Sequence, residues 1–164
     1  MKDKFFLIKI LFALMICLMS PILLTGCQKT NGVDSDVAFL DIQNKLISNA
    51  NFQNSETKNL NDINTAQQYG ISIDNIEEGI VYTSNNETSD RIILVKAKGG
   101  PATENIEKAL ANEVAGLLSA WESNSSEMKK LNNHVLKTKD DYVVLIISEN
   151  SDTLENDFDN FFNS

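Results

Sequence analysis

The chain has one His, two Cys and one Trp in 164 residues, and its 14 Lys and Arg are outnumbered by 23 Asp and Glu. Each scarcity removes a class of function. One imidazole and two thiols cannot assemble a Cys/His zinc site. A formal net charge of -9 opposes sequence-independent binding to DNA or RNA, which needs clustered cations facing phosphates. No nucleic-acid partner is expected. No Gly-x-Ser-x-Gly segment is present to set a nucleophilic Ser on a strained turn. The length suits one domain of ordinary size, and no internal repeat is visible.

What is present is concentrated first at the N-terminus. Met1-Lys2-Asp3-Lys4 is short and net positive, and residues 5–24 are apolar apart from Lys9 and Ser20. Leu24-Thr25-Gly26-Cys27 follows. A positive start, an apolar stretch and small residues at its end define a secretory signal. The four-residue ending resembles the lipobox of bacterial lipoproteins. That resemblance implies a signal peptide over 1–26, cleavage between Gly26 and Cys27, and a thioether from the Cys27 thiol to diacylglycerol. Residues 27–35 then read as the lipidated Cys and a polar tether, and 36–164 as one globular domain. An uncleaved membrane span is the rival, because twenty apolar residues can cross a bilayer. Lys9, Ser20, Pro21 and the Gly-Cys ending favour cleavage. Either way the body is expected outside the cytoplasm, on the outer face of the cell membrane.

Loss of the signal removes three Lys, one Asp and Cys17, leaving 11 basic and 22 acidic side chains, net -11. With Cys27 acylated, no disulfide forms within the remaining chain, so an apolar core must hold the fold. A domain of this size buries enough surface to do so. Two acyl chains, at about 0.8 kcal/mol per buried CH₂, anchor stably where one would not. The acidic body is repelled from an anionic leaflet at low salt.

Ser35 or Asp36 is a candidate cap for a helix over 36–50, with Phe39, Ile42, Leu46 and Leu40, Ile47 as adjoining apolar rows. Residues 51–59 read as loop, and 60–69 as a short helix ended by Gly70. Apolar and β-branched residues over 76–83 and 90–97, with a polar turn between, predict a hairpin. Ile106, Leu110, Val114, Leu117 and Trp121 recur at helical spacing after Gly99-Gly100-Pro101, giving the strongest helix. Residues 123–133 read as a turn with one helical turn through Met128 and Leu131. A strand near Val135–Thr138, a turn at 139–141 and a continuous apolar strand over 142–148 predict a second hairpin. Leu154, Phe158 and Phe161 or Phe162 share a face of a final helix. The fold class expected is α+β: a four-stranded antiparallel sheet, two hairpins flanking a long helix, with helices packed on one face.

Over roughly residues 37–160 the layout resembles a family of small lipoproteins of Clostridium-like anaerobic bacteria, known only as a domain of unknown function. Tyr69-Gly70, the strand Arg91–Lys96, the long helix through Trp121, and Asp141–Ser148 followed by an acidic stretch carry the resemblance. It implies a lipid-anchored extracytoplasmic domain and brings no catalytic residues.

Other constellations favour ordinary structural roles. His134 alone would have to serve any Ser-His-acid triad, and it lies at a strand edge. Carboxylate pairs suited to a two-acid hydrolase abound, but Trp121, the one Trp, sits on an apolar helix face rather than on a sugar platform. Asp152, Glu155, Asp157 and Asp159 offer oxygen ligands without EF-hand spacing, and fit the solvated face of a helix. Gly99-Gly100-Pro101 lacks the Gly-Lys-Ser/Thr of a phosphate loop. Asn86-Glu87-Thr88 and Asn124-Ser125-Ser126 match a glycosylation pattern that is meaningful in eukaryotic secretion. Phe158, Phe161 and Phe162 are either docked on the sheet, the favoured reading, or a surface for a partner protein. The function expected is a lipid-anchored binding or accessory protein of the bacterial cell envelope. It needs no cofactor or metal, and its partners are the membrane, through a diacylglyceryl anchor, and an unidentified envelope protein. The alternative is a small envelope hydrolase with a site of carboxylates and hydroxyls. A transporter's substrate-binding lipoprotein is disfavoured by size.

Overall fold

A computed structural model describes residues 38–84 and 87–163. The expected signal peptide, its expected cleavage between Gly26 and Cys27, the expected lipidation of Cys27 and the tether fall on residues outside those described. Among the described residues no helix is long and apolar enough to cross a membrane.

The first helix, α1, runs Phe39–Ala50. Extended Ala38 precedes it in the cap position, so neither Ser35 nor Asp36 is the cap. The loop that follows contains an unexpected strand, β1 (Glu56–Asn59). Helix α2 (Ile63–Gln68) starts at Asp62, whose carboxylate accepts from the Asn64 and Thr65 amides. Gly70, at φ +66, lets the chain leave it. A 3₁₀ turn, Ile73–Asn75, leads into β2 (Ile76–Thr83), and β3 (Arg91–Ala97) follows. Next come the long α3 (Gly100–Ala120) and α4 (Ser125–Asn132), then β4 (Val135–Lys139), β5 (Tyr142–Ile147) and α5 (Ser151–Asp159). Residues 123–133, expected as mostly turn, therefore hold an eight-residue helix capped by Asn124, whose side chain accepts from the amides of Ser126 and Glu127.

The sheet is antiparallel throughout, but it has five strands rather than four, in the order β1-β2-β3-β5-β4. The added strand, Glu-Thr-Lys-Asn, is short, polar and almost wholly exposed. It pairs on one side only, so neither apolar periodicity nor burial marks it in the sequence.

A second correction concerns the layers: helices cover both faces of the sheet, not one. Every residue of β5 and most of β3 are buried. Successive side chains of a strand point to opposite faces, so a continuous apolar run has two faces to cover. On one side Ile93, Val95, Val143, Leu145 and Ile147 meet Ile106, Leu110 and Val114 of α3 and Leu131 of α4. On the other, Ile92, Leu94, Val144 and Ile146 meet Ile42 and Leu46 of α1 and Leu154 and Phe158 of α5.

The register fixes where the loops gather. Glu56 opposes Thr83, Thr83 opposes Arg91, Arg91 opposes Ile147, and Val135 opposes Ile146. The starts of β1, β3 and β4 and the ends of β2 and β5 thus lie at one end of the sheet.

Candidate functional site: a polar cleft at the strand ends

Three segments far apart in sequence meet at that end: residues 50–53 at the end of α1 and just after it, Ser84 with 87–90 between β2 and β3, and 148–150 between β5 and α5. Between them lies a cleft of about 370 Å³, lined by Ala50, Asn51, Phe52, Gln53, Ser84, Thr88, Asp90, Ser148, Glu149 and Asn150. Its volume lies at the small end of the range of about 300–1,000 Å³ usual for small-molecule sites.

Each wall has a local cause. Asn51 and Asn54 both adopt left-handed backbone, at φ 58 and φ 48, a conformation Asn tolerates better than most residues. They fold the loop back so that Phe52 stacks on Tyr82, with centroids 5.2 Å apart and planes 7° from parallel. The Tyr82 hydroxyl shares a 2.7 Å hydrogen bond with Ser55 Oγ. Ser84 Oγ donates to the Gln53 carbonyl at 2.8 Å, joining the first wall to the second. Asn150 Nδ2 donates to the Asn49 carbonyl at 3.0 Å, and Ser148 Oγ donates to Asn150 Oδ1, joining the third. Phe52, Ser84, Ser148 and Asn150 are thereby held in place by their own partners.

Beside it sits a buried ion cluster. Lys130 Nζ lies 2.9 Å from Asp90 Oδ2 and 2.9 Å from Glu127 Oε2. Glu127 Oε2 also accepts from the Ser89 amide at 2.6 Å and from Ser89 Oγ at 2.7 Å. Burial pushes the Glu127 carboxyl up, but the bonds from Lys130 and Ser89 outweigh it and hold the group below its ordinary value. Burial likewise pushes the Lys130 ammonium down, and the two carboxylates more than offset this, so its pKa is raised. The cluster is charged and paired, with Asp90 at its edge on the cleft. It ties α4 to the loop that carries Asp90, and Lys130 is no nucleophile in this state.

The residues singled out in the sequence lie elsewhere. His134 is half-buried at the end of α4, its Nδ1 2.6 Å from the Leu131 carbonyl, where the ring closes the helix. Trp121 packs, partly buried, against the core on the α3 face. Glu155 and Asp159 both pair with Lys137 at 2.6 Å. Asp157 accepts from Asn49 at 2.6 Å and lies 3.5 Å from Lys45, and Asp152 is exposed. Glu155, Asp157 and Asp159 sit in ion pairs that fasten α5, and among the described residues no group of three or more His, Cys, Asp or Glu could hold a metal ion. Gly99, at φ +100, begins α3, and Thr103 Oγ1 bonds its carbonyl at 3.1 Å. Phe158 is fully buried, while Phe161 and Phe162 are partly buried against the same core face. Phe162 stands 5.5 Å from Tyr142 and 5.0 Å from Phe158, centroid to centroid. Of the three rings offered as a partner surface, only parts of Phe161 and Phe162 reach solvent.

Sequence reasoning missed Phe52, Gln53, Asp90 and the Glu127–Lys130 pair. One signal for the pair was readable: Asn124 with Glu127 three residues on matches a capping pattern, with Lys130 on the same helical face. Nothing local connects it to Ser89 and Asp90.

The arrangement defines a small α+β domain with a helix-covered antiparallel sheet and a polar cleft built from loops at the strand ends. Residues 49–148 match the profile of a family described as Domain of unknown function (DUF4358), and the chain belongs to that family. The match begins at the end of α1 and ends just after β5, so it spans the whole sheet and most of the cleft's lining. No curated protein and no solved structure matches the chain.

Proposed function

We propose that the protein is a lipid-anchored, extracytoplasmic binding module of the bacterial cell envelope that takes its ligand in the strand-end cleft. The observation that carries the anchoring is Leu24-Thr25-Gly26-Cys27 directly after an apolar stretch with a positive start. Binding rather than catalysis is supported by how the reactive groups are engaged. Lys130 is held by two carboxylates, and His134 contacts a backbone carbonyl. Among the described residues neither is hydrogen-bonded to a hydroxyl or thiol that it could activate.

Replacing Cys27 with Ser tests the anchor. The parent should incorporate a labelled fatty acid and sediment with membranes, and the Cys27→Ser form should take up no label and be released or persist as an uncleaved precursor. A Cys27→Ser protein that is processed and membrane-held like the parent would overturn the reading. A small hydrolase is the second reading, favoured by one observation: Asp90 and Glu149 both line the cleft. Against it, Asp90 Oδ2 is already engaged by Lys130, whereas a two-acid mechanism needs both groups free to exchange protons.

A further inference from the structure

We infer that the strand-end cleft binds a neutral saccharide, with Phe52 as the platform for one sugar ring. The inference rests on the cleft being the ligand site. Four features of the lining converge on this chemistry.

The first is the aromatic ring. A sugar presents a face of C–H groups that packs on the electron-rich face of an aromatic ring. Such a platform works best when it is fixed before the ligand arrives. Phe52 lines the cleft and is backed by Tyr82 at 5.2 Å, itself pinned through its hydroxyl by Ser55. The second is the polar complement. Sugar hydroxyls donate and accept at once, and side-chain amides and hydroxyls do the same. Asn51 and Gln53 supply side-chain amides and Thr88 a hydroxyl, while Ser84, whose proton goes to the Gln53 carbonyl, adds an acceptor oxygen. Thr88 Oγ1 is buried without a hydrogen-bond partner, a polar group whose burial is costly until it is satisfied.

The third is charge. Among the described residues no Lys or Arg lines the cleft, and the nearby Lys130 is occupied by Asp90 and Glu127. Phosphate and carboxylate ligands would find no counter-charge, whereas hydroxyl donors would find the carboxylate acceptors of Asp90 and Glu149. The fourth is size. A cleft of about 370 Å³ suits one or two rings, not a long chain in full contact.

An organic cation is the rival, because Phe52 and two carboxylates could also receive an ammonium. The test is saturation-transfer NMR on the full chain in a zwitterionic detergent, since sugar-headed detergents would compete. The probes are cellobiose, maltose, the N-acetylglucosamine disaccharide and putrescine. At least one saccharide should receive saturation at its ring protons. Its affinity should fall tenfold or more in Phe52→Ala, fall in Gln53→Ala, and be retained in Phe52→Tyr and in the remote Leu40→Ala. Should Phe52→Ala fail to fold, Gln53→Ala and Phe52→Tyr decide. The inference is overturned if no saccharide binds at millimolar concentration, or if binding ignores the Phe52 and Gln53 changes. Putrescine binding alone, lost in Phe52→Ala, would overturn the saccharide and leave the binding module standing. Anchoring is read separately, by the fate of Cys27→Ser.

Discussion

At Gly79 the backbone of β2 passes so close to Leu60 that a Cβ would stand 2.9 Å from the Leu60 Cβ. The approach is held through both backbone groups of Gly79: the Leu60 amide donates to its carbonyl at 2.9 Å, and its own amide donates to Asn61 Oδ1 at 3.1 Å. Leu60 is fully buried and cannot swing aside without leaving the core. Gly79→Ala should therefore destabilise the protein by about 1–3 kcal/mol, the usual cost of overpacking. Gly116 is the matched control. It lies inside α3, and a Cβ there would meet nothing within 4 Å. Gly116→Ala should stabilise by about 0.5–1 kcal/mol through helix propensity. Urea unfolding of the two variants checks both signs, and a neutral Gly79→Ala would show that the close approach is not required.

Among the elements, α4 depends most on its ion cluster. Only Leu131 of its apolar residues is fully buried, with Met128 packed partly, so the Lys130 contacts to Asp90 and Glu127 supply much of what orients it. Lys130→Met keeps the aliphatic stem but leaves the buried Glu127 and the half-buried Asp90 without their cation, a loss of about 3 kcal/mol, the low end for a broken buried pair because Asp90 keeps contact with water. Adding Glu127→Gln should recover part of that loss. The pH dependence follows from the direction of the Glu127 shift. Its carboxyl titrates below the ordinary value of 4.5 when folded. The stabilisation is thus complete above pH 4.5 and is lost as pH falls through the lower, folded-state value. Stability measured by urea melts should decline through that acid window, and Glu127→Gln should flatten the decline. An unchanged acid profile in Glu127→Gln would remove the carboxylate from the account. The same cluster shows why α4 was only half legible. Its sequence is mostly polar, so apolar spacing shows one turn through Met128 and Leu131. The rest of the helix is held by an Asn cap and by charges whose partners lie about 40 residues away. Elements with a strong apolar period behaved differently. The long helix, the strand 76–83 and the apolar run beginning at 142 stand where periodicity put them, because burial of one face or two dictates them locally.

On the scale of the whole molecule, the site depends on strand order, which periodicity does not encode. Gln53, Ser84 and Ser148 become neighbours only because β1, β2, β3 and β5 lie side by side with their ends in register. Local reading can mark these segments as polar loops but cannot join them into one cleft. The two-sided cover has the same origin, although the continuous apolar run of β5 already hinted at it. The strand order also sets a gradient of stability. β3 and β5 are paired on both edges and covered on both faces, while β1 has four exposed or half-exposed residues and a single neighbour. Local opening has a free energy that falls with the number of contacts broken. Amides of β3 and β5 should therefore exchange with deuterium only on global unfolding, and those of β1 through local opening, orders of magnitude faster. A saccharide in the cleft should slow exchange at Phe52, Gln53 and Glu149, leaving the middle of α3 unchanged. Equal protection of β1 and β3 without ligand would show that the edge strand is as rigid as the centre, and would remove strand order as the source of the gradient.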